Sequence, residues 1–202
     1  MDTKLTGKTR IESDLIGARE IPAEALYGVQ TLRGIENFSI SKFRLSEYPL
    51  FIKGLAITKM AAAMANFELG LLTVEQKDAI IAACGEILDG KHHDQFPVDM
   101  IQGGAGTTTN MNANEVIANR ALELMGHERG EYQYCSPNDH VNCSQSTNDA
   151  YPTAIHIGMY FKHLQLLPHL EELIASFRKK GEEFSQIIKM GRTQLEDAVP
   201  MT

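Results

Sequence analysis

The sequence has 202 residues and a formal net charge of −7, from 19 basic and 26 acidic side chains. Its 43% hydrophobic and 22% charged residues are typical of an ordinary soluble globular protein. The negative charge and the absence of a basic cluster argue against nucleic acid as a partner, and no segment approaches the roughly 20 apolar residues that span a membrane.

The first part of the chain predicts a hairpin followed by a helix. Residues 1–10 are polar and are expected to be frayed. Gly17 separates two small apolar runs within residues 11–21, which predicts a short extended hairpin. Apolar residues then recur every three positions over residues 23–38, directly after Pro22, and this spacing predicts a helix.

Two further helices are predicted over residues 50–69 and 73–90. The apolar residues of the first that are expected to face the core form one stripe: Ile57, Met60, Ala61 and Met64. Gly70 ends this helix. Thr73 and Gln76 then match a capping box, in which the Thr73 hydroxyl accepts from a free backbone N–H of the second helix.

The second half of the chain predicts long helices. Residues 108–125 have helical spacing, and Gly126 is expected to close that helix as a C-terminal cap. Apolar residues over 155–188 indicate bundle-forming helices. Pro168 is expected either to kink this run or to begin a new helix.

The predicted fold is therefore mainly α. A small N-terminal helical domain with a short hairpin is expected over residues 1–143, followed by the truncated beginning of a long helical-bundle domain over residues 144–202. The three cysteines lack metal-type spacing, and residues 1–6 lack the apolar core of a signal peptide. Both features favour reduced thiols in the cytoplasm.

Three irregular segments are crowded with small residues, hydroxyls and amides: residues 103–112, 136–149 and 191–198. The first two stand just before predicted helices, and the third would do so if the chain continues. Helix starts present unpaired N–H groups that hold carboxylate or phosphate, so three such segments favour an anion site. The alternative remains that Thr108, Ser146 and Thr193 are ordinary helix caps.

Other candidate sites are weaker. His92, His93 and Asp94 adjoin one another, but adjacent residues rarely chelate one ion, so a surface turn is expected rather than a metal site. The glycines of residues 103–106 lack the lysine of a phosphate-binding loop, which argues against a nucleotide.

Six motifs, in this order, resemble the fumarase/aspartase superfamily and are most similar to its aspartate ammonia-lyase branch. They are DQFPVD (94–99), GGAGTTTNMN (103–112), GEYQY (130–134), PNDHVN (137–142), QSTNDAY (145–151) and KMGRTQ (189–194). With stretches less tied to chemistry, the resemblance extends over residues 11–202.

The resemblance implies a homotetramer around a central helical bundle, with each active site assembled from three subunits. It implies a reversible anti elimination of ammonia from L-aspartate to give fumarate, through a doubly charged aci-carboxylate, without a metal or organic cofactor. Such an intermediate needs preoriented donors where charge develops.

Six residues correspond to the family's substrate-binding positions. The resemblance implies that three of them stabilise the developing charge: Thr107, Ser146 and Thr147. The others would hold the amino group or the second carboxylate: Asn148, Thr193 and Gln194. Fumarases commonly have His where Gln194 stands, which favours the aspartate branch, and His where Ser136 stands, which makes a secondary anion site doubtful.

The family's catalytic base is a serine on a Gly-Ser-Ser loop, and no such tripeptide occurs in this sequence. The base is therefore expected beyond Thr202, no catalytic residue is assigned here, and this chain alone is expected to be inactive. Two alternatives remain: a fumarase or another lyase of the superfamily, and a non-catalytic helical assembly module.

Overall fold

The computed structural model describes residues 7–202, so the expectation of a frayed start falls mostly outside the described residues. Strand β1 (Thr9–Asp14) pairs antiparallel with β2 (Gly17–Pro22), with Asp14 opposite Gly17. Asp14 Oδ1 accepts from the N–H groups of Ile16 and Gly17 at 2.9 and 3.1 Å, which closes the turn. The predicted hairpin is confirmed.

Helix α1 (Val29–Asn37) begins six residues later than the spacing predicts. The backbone before it is held by the Arg10 guanidinium, which donates to the carbonyl oxygens of Ala25 and Tyr27 at 2.6 and 2.8 Å. Because these carbonyls are bound by a side chain, the segment does not need helical hydrogen bonds. The predicted start at residue 23 is therefore wrong.

Helices α2 (Pro49–Glu68) and α3 (Val74–Leu88) lie within a residue or two of their predicted bounds. The capping box is confirmed. Thr73 Oγ1 accepts from the Gln76 N–H at 3.2 Å, and Gln76 Oε1 accepts from the Thr73 N–H at 3.0 Å. A short 3-10 turn (Leu45–Glu47) precedes α2, and another (His93–Gln95) follows α3.

The buried face of α2 differs from the predicted stripe. Met64 is 51% exposed and Ala61 is exposed, whereas Lys59 and Asn66 are buried. Polar partners set the buried face, because the Lys59 and Asn66 side chains both donate hydrogen bonds to residues 142–145. The expectation that no segment approaches a membrane span is wrong by length and composition, because α2, alone among the helices of residues 7–202, could cross a membrane. This helix nevertheless contributes to the hydrophobic core.

Helix α4 (Thr107–Leu124) runs through the core and is buried along most of its length. Gly126 ends it with φ +82°, and the His127 N–H donates to the Leu122 carbonyl at 2.9 Å. This is the glycine cap that the sequence predicts. The helix begins one residue earlier than predicted, at Thr107.

Glu115 of α4 supports the start of α1 from across the core. Its carboxylate, 1% exposed, accepts from the backbone N–H groups of Gly28, Gln30 and Thr31 at 2.8–3.0 Å. Burial raises the pKa of Glu115, and the three N–H donors act in the opposite direction. A side chain 84 or more residues away thus supplies the cap that Gly28 lacks.

Helix α5 (Thr147–Phe184) is uninterrupted, so Pro168 lies inside it and does not begin a new helix. A π-helical turn (Pro137–Val141) precedes it. The chain divides into two compact units, residues 1–160 and 161–202. The domain division at residues 143 and 144 stays a prediction.

The second unit holds the rest of α5 and an antiparallel hairpin of β3 (Lys189–Thr193) and β4 (Glu196–Met201). The predicted run to residue 188 ends instead at Phe184, and the segment around Gly191 lies in a hairpin rather than before a helix. The turn uses left-handed backbone at Gln194 and Leu195, which their residue types do not signal. The mainly helical fold class is confirmed.

Candidate functional site

Two of the three predicted segments meet in the first compact unit, where the start of α4 touches the first turns of α5. Gly106 precedes α4 with φ +87°, and a Cβ added there would overlap the ring of Tyr151. Tyr151 is itself held edge-on by Phe51 of α2, with ring centroids 5.5 Å apart. Glycine is needed at 106 because it adopts the left-handed backbone without strain and because it has no Cβ to overlap the Tyr151 ring.

A cleft of about 510 Å³ opens at this junction. Gly104, Gly106, Asn148 and Tyr151 are among its lining residues, so both segments contribute to its wall. This volume lies in the range of small-molecule sites, which are typically about 300–1,000 Å³.

The start of α4 offers free donors beside this cleft. Gly106 provides no side-chain cap, and the Thr109 N–H is already taken by Gln102 Oε1 at 2.8 Å. Within residues 7–202, no acceptor pairs with the N–H groups of Thr107 and Thr108 in the first turn. These N–H groups, the exposed Thr107 hydroxyl and the helix dipole together favour an anion. Thr108 lies inside the helix, so its interpretation as a cap is wrong.

The start of α5 carries the second set of polar groups. Ser146 Oγ accepts from the Asn148 N–H at 3.1 Å, which confirms the cap interpretation for Ser146 while leaving its O–H proton free to donate. Ser146 and Asn148 are exposed and Thr147 is half-buried. Thr147 Oγ1 accepts from Asn110 Nδ2 at 3.0 Å.

A buried lysine binds the residues just before α5. Lys59 is 0% exposed, and its Nζ donates to Asn142 Oδ1 and Gln145 Oε1, both at 2.9 Å. Burial lowers the pKa of Lys59 to about 7 and raises that of the neighbouring Cys84 thiol to about 12. Lys59 was not predicted as a site residue, although the sequence holds one signal: a lysine in the middle of the apolar α2.

The third predicted segment belongs to the second compact unit. Thr193 ends β3 and Gln194 forms the turn with φ 45°, and both side chains are exposed. Thr193 is not a helix cap, because no helix follows it in the described residues. That Thr193 and Gln194 share a site with Thr107 and Ser146 stays a prediction.

Side chains of residues 136–140 close the π-helical turn that begins at Pro137. Ser136 Oγ accepts from the N–H groups of Asn138 and Asp139 at 3.2 and 3.1 Å and donates to Asp139 Oδ2 at 3.0 Å. His140 Nδ1 accepts from the Ser136 N–H at 2.7 Å, and burial lowers the pKa of His140. The backbone N–H groups of Asn138 and Asp139, which could otherwise hold an anion at the start of this turn, are therefore already used.

The histidine pair after α3 has partners within the protein. His92 Nε2 pairs with Glu86 at 2.9 Å, and His93 Nε2 donates to the Ile87 carbonyl at 2.9 Å. Both rings thereby attach the following loop to α3. Among residues 7–202, no three His, Cys, Asp or Glu side chains gather in a metal-binding arrangement.

A family model described as lyase matches residues 17–202. An aspartate ammonia-lyase from Pseudomonas canavaninivorans is 60% identical over 193 residues, which is 96% of this chain and 41% of that protein.

Two solved structures are also similar. A fumarate lyase:delta crystallin from Brucella melitensis, bound to cobalt, has a TM-score of 0.90 at 54% identity over 96% of this chain and 42% of its own. A recombinant class II fumarase from Schistosoma mansoni has a TM-score of 0.87 at 39% identity over 96% of this chain and 41% of its own. The chain thus spans about two fifths of the length of the relatives it matches.

Proposed function

We propose, because this chain belongs to the lyase family and is a homologue of aspartate ammonia-lyases, that its protein reversibly eliminates ammonia from L-aspartate to give fumarate. The protein to which this activity is assigned is the full-length one, since the chain spans 41% of that relative's length.

The observation that supports the proposal is the α4–α5 junction, where two distant segments are joined by the Asn110–Thr147 hydrogen bond and both contribute to the wall of one cleft. Loss of the proton next to the side-chain carboxylate places a second negative charge on that group. The hydroxyls of Thr107, Ser146 and Thr147 and the first N–H groups of α4 would stabilise this charge. One such donor contributes about 2.7–4 kcal/mol in the transition state of other enzymes.

Asn148 lines the cleft and is assigned to the amino group or the second carboxylate of the substrate. We extend that assignment to Thr193 and Gln194, with a homotetramer in which three subunits contribute to each site. No base is assigned within residues 7–202, and no step is attributed to a metal or an organic cofactor. A cytoplasmic location is proposed from the three free cysteines.

The test is a substrate comparison with the full-length protein. Fumarate formation is followed by its ultraviolet absorbance with L-aspartate and, separately, with L-malate. Release of ammonia equal to fumarate from L-aspartate supports the proposal.

A fumarase is the second candidate, because the fold is also similar to a class II fumarase. Turnover of L-malate alone would reverse the choice. A stable assembly that converts neither substrate would favour the helical assembly module.

A further inference from the structure

The Lys59 cluster fixes the orientation of three amide side chains in the interior of the first unit. The Lys59 Nζ carries at least two N–H donors whether or not it is protonated, so the two amides that face it present their oxygens. Asn142 and Gln145 both do so, at 2.9 Å. Asn142 is fixed a second time, because its Nδ2 donates to the Gln145 backbone carbonyl at 3.1 Å.

The orientation of Asn110 follows from that of Asn142. Asn110 is 1% exposed on the first turns of α4, and the group facing it is Asn142 Oδ1 at 3.1 Å. Two amide oxygens would repel, so Asn110 must present Nδ2. Its own Oδ1 is buried without a hydrogen-bond partner among residues 7–202, because the amide nitrogen faces Asn142 and Thr147.

The second proton of Asn110 Nδ2 points to Thr147 Oγ1, 3.0 Å away. The Thr147 oxygen therefore accepts in this bond, and its single O–H proton must be directed elsewhere. Within residues 7–202 no protein acceptor binds that proton, and the half-buried Thr147 directly precedes Asn148, which lines the cleft.

We propose that Asn110, oriented by Lys59 through Asn142, is a positioning residue that makes the Thr147 hydroxyl a hydrogen-bond donor to a bound dicarboxylate. This inference rests on the proposed function for the identity of the ligand. The donor direction is passed from the N–H groups of Lys59 through the amides of Asn142 and Asn110 to the Thr147 hydroxyl, so Thr147 is preorganised as a donor before the substrate arrives.

The test is Asn110→Asp in the full-length protein. An aspartate at 110 has the same shape but accepts where the amide donates, so the Thr147 proton turns toward residue 110. We expect kcat with L-aspartate to fall by on the order of 10²-fold and KM to rise by a smaller factor, because the donor already contacts the ground-state carboxylate but acts mainly on charge that develops during the reaction.

Asn112→Asp is the matched control. Asn112 lies on the same helix, is 0% exposed and donates to the Gln95 carbonyl at 3.0 Å, so the change also buries a carboxylate but does not touch Thr147. Equal losses of kcat in the two variants would overturn the inference, because both would then reflect damage to α4.

A double-mutant cycle with Thr147→Val separates positioning from structure. If Asn110 acts through the Thr147 hydroxyl, Asn110→Asp causes little further loss once that hydroxyl is gone. Independent, multiplicative losses would overturn the inference.

The same cycle is measured by calorimetric binding of succinate, which needs no turnover. We expect Asn110→Asp to weaken succinate binding in the native background and not in Thr147→Val. If the native protein binds succinate with this coupling but does not convert L-aspartate, the proposed function fails and the positioning role stands. Absence of coupling in both measurements, or no succinate binding by the native protein, overturns the positioning role.

Discussion

Gly106→Ala tests the junction of α4 and α5 most directly, because it adds one carbon at a position that has both a left-handed backbone and a close aromatic neighbour. The backbone there has φ +87°, which residues with a Cβ rarely adopt, and the new carbon would overlap the Tyr151 ring. Tyr151 cannot yield freely, since Phe51 packs against it edge-on with ring centroids 5.5 Å apart.

The expected loss of unfolding free energy in Gly106→Ala has two parts. A left-handed backbone costs a residue with a Cβ about 1–2 kcal/mol, and an added carbon in a packed interior costs about 1–3 kcal/mol. Gly126→Ala isolates the first part, because Gly126 has φ +82° and its Cβ would meet nothing within 4 Å. We expect Gly126→Ala to lower the free energy of unfolding by about 1–2 kcal/mol, and Gly106→Ala by about 2–5 kcal/mol.

Urea unfolding of the full-length protein, followed by circular dichroism, measures both variants. Gly106→Ala is also expected to weaken succinate binding, since displacement of Tyr151 changes the wall of the cleft, whereas Gly126→Ala leaves binding unchanged. If the two variants unfold at the same urea concentration and bind succinate equally, the close approach of Gly106 to Tyr151 is wrong.

Three further predictions concern stability and association. Thr73→Ala removes the capping hydroxyl of α3 and should lower the free energy of unfolding by about 1 kcal/mol in urea titration, whereas an unchanged midpoint would contradict the capping box. The Arg120 guanidinium lowers the pKa of Glu86 to about 2 from its ordinary 4.5. This pair therefore stabilises the fold above about pH 4.5, and its contribution is lost as the pH falls toward 2. Glu86→Gln should flatten the plot of unfolding free energy against pH over that range. Leu173 and Phe177 are 51% and 70% exposed, so the 202-residue chain should self-associate in light scattering, and Leu173→Ser with Phe177→Ser should reduce this.

Local signals in the sequence predicted the elements whose ends depend on nearby residues. The capping box at Thr73, the glycine cap at Gly126 and the hairpin around Gly17 each involve residues within a few positions of one another. The start of α1 was predicted too early because its determinants, Arg10 and Glu115, are distant side chains that bind its backbone. Helical spacing carries no information about such partners.

In the candidate site, too, local features were predicted from the sequence and long-range contacts were not. The composition of residues 103–112 and 136–149 indicated helix starts rich in donors, and the fold brings these two segments together. The lysine within the apolar α2 was a signal, but its partners could not be predicted, because the Lys59 bonds join residues 83 and 86 positions apart. Its burial follows from two amide oxygens that only the folded chain supplies.

The buried Lys59 amine has a chemical consequence. With its pKa near 7, an appreciable fraction is unprotonated at neutral pH, and an unprotonated amine is nucleophilic toward acylating reagents. Its full burial nevertheless shields it as long as α2 and the segment before α5 stay closed. The rate at which a small acylating reagent labels Lys59, read by mass spectrometry after digestion, would therefore report how often this part of the interior opens.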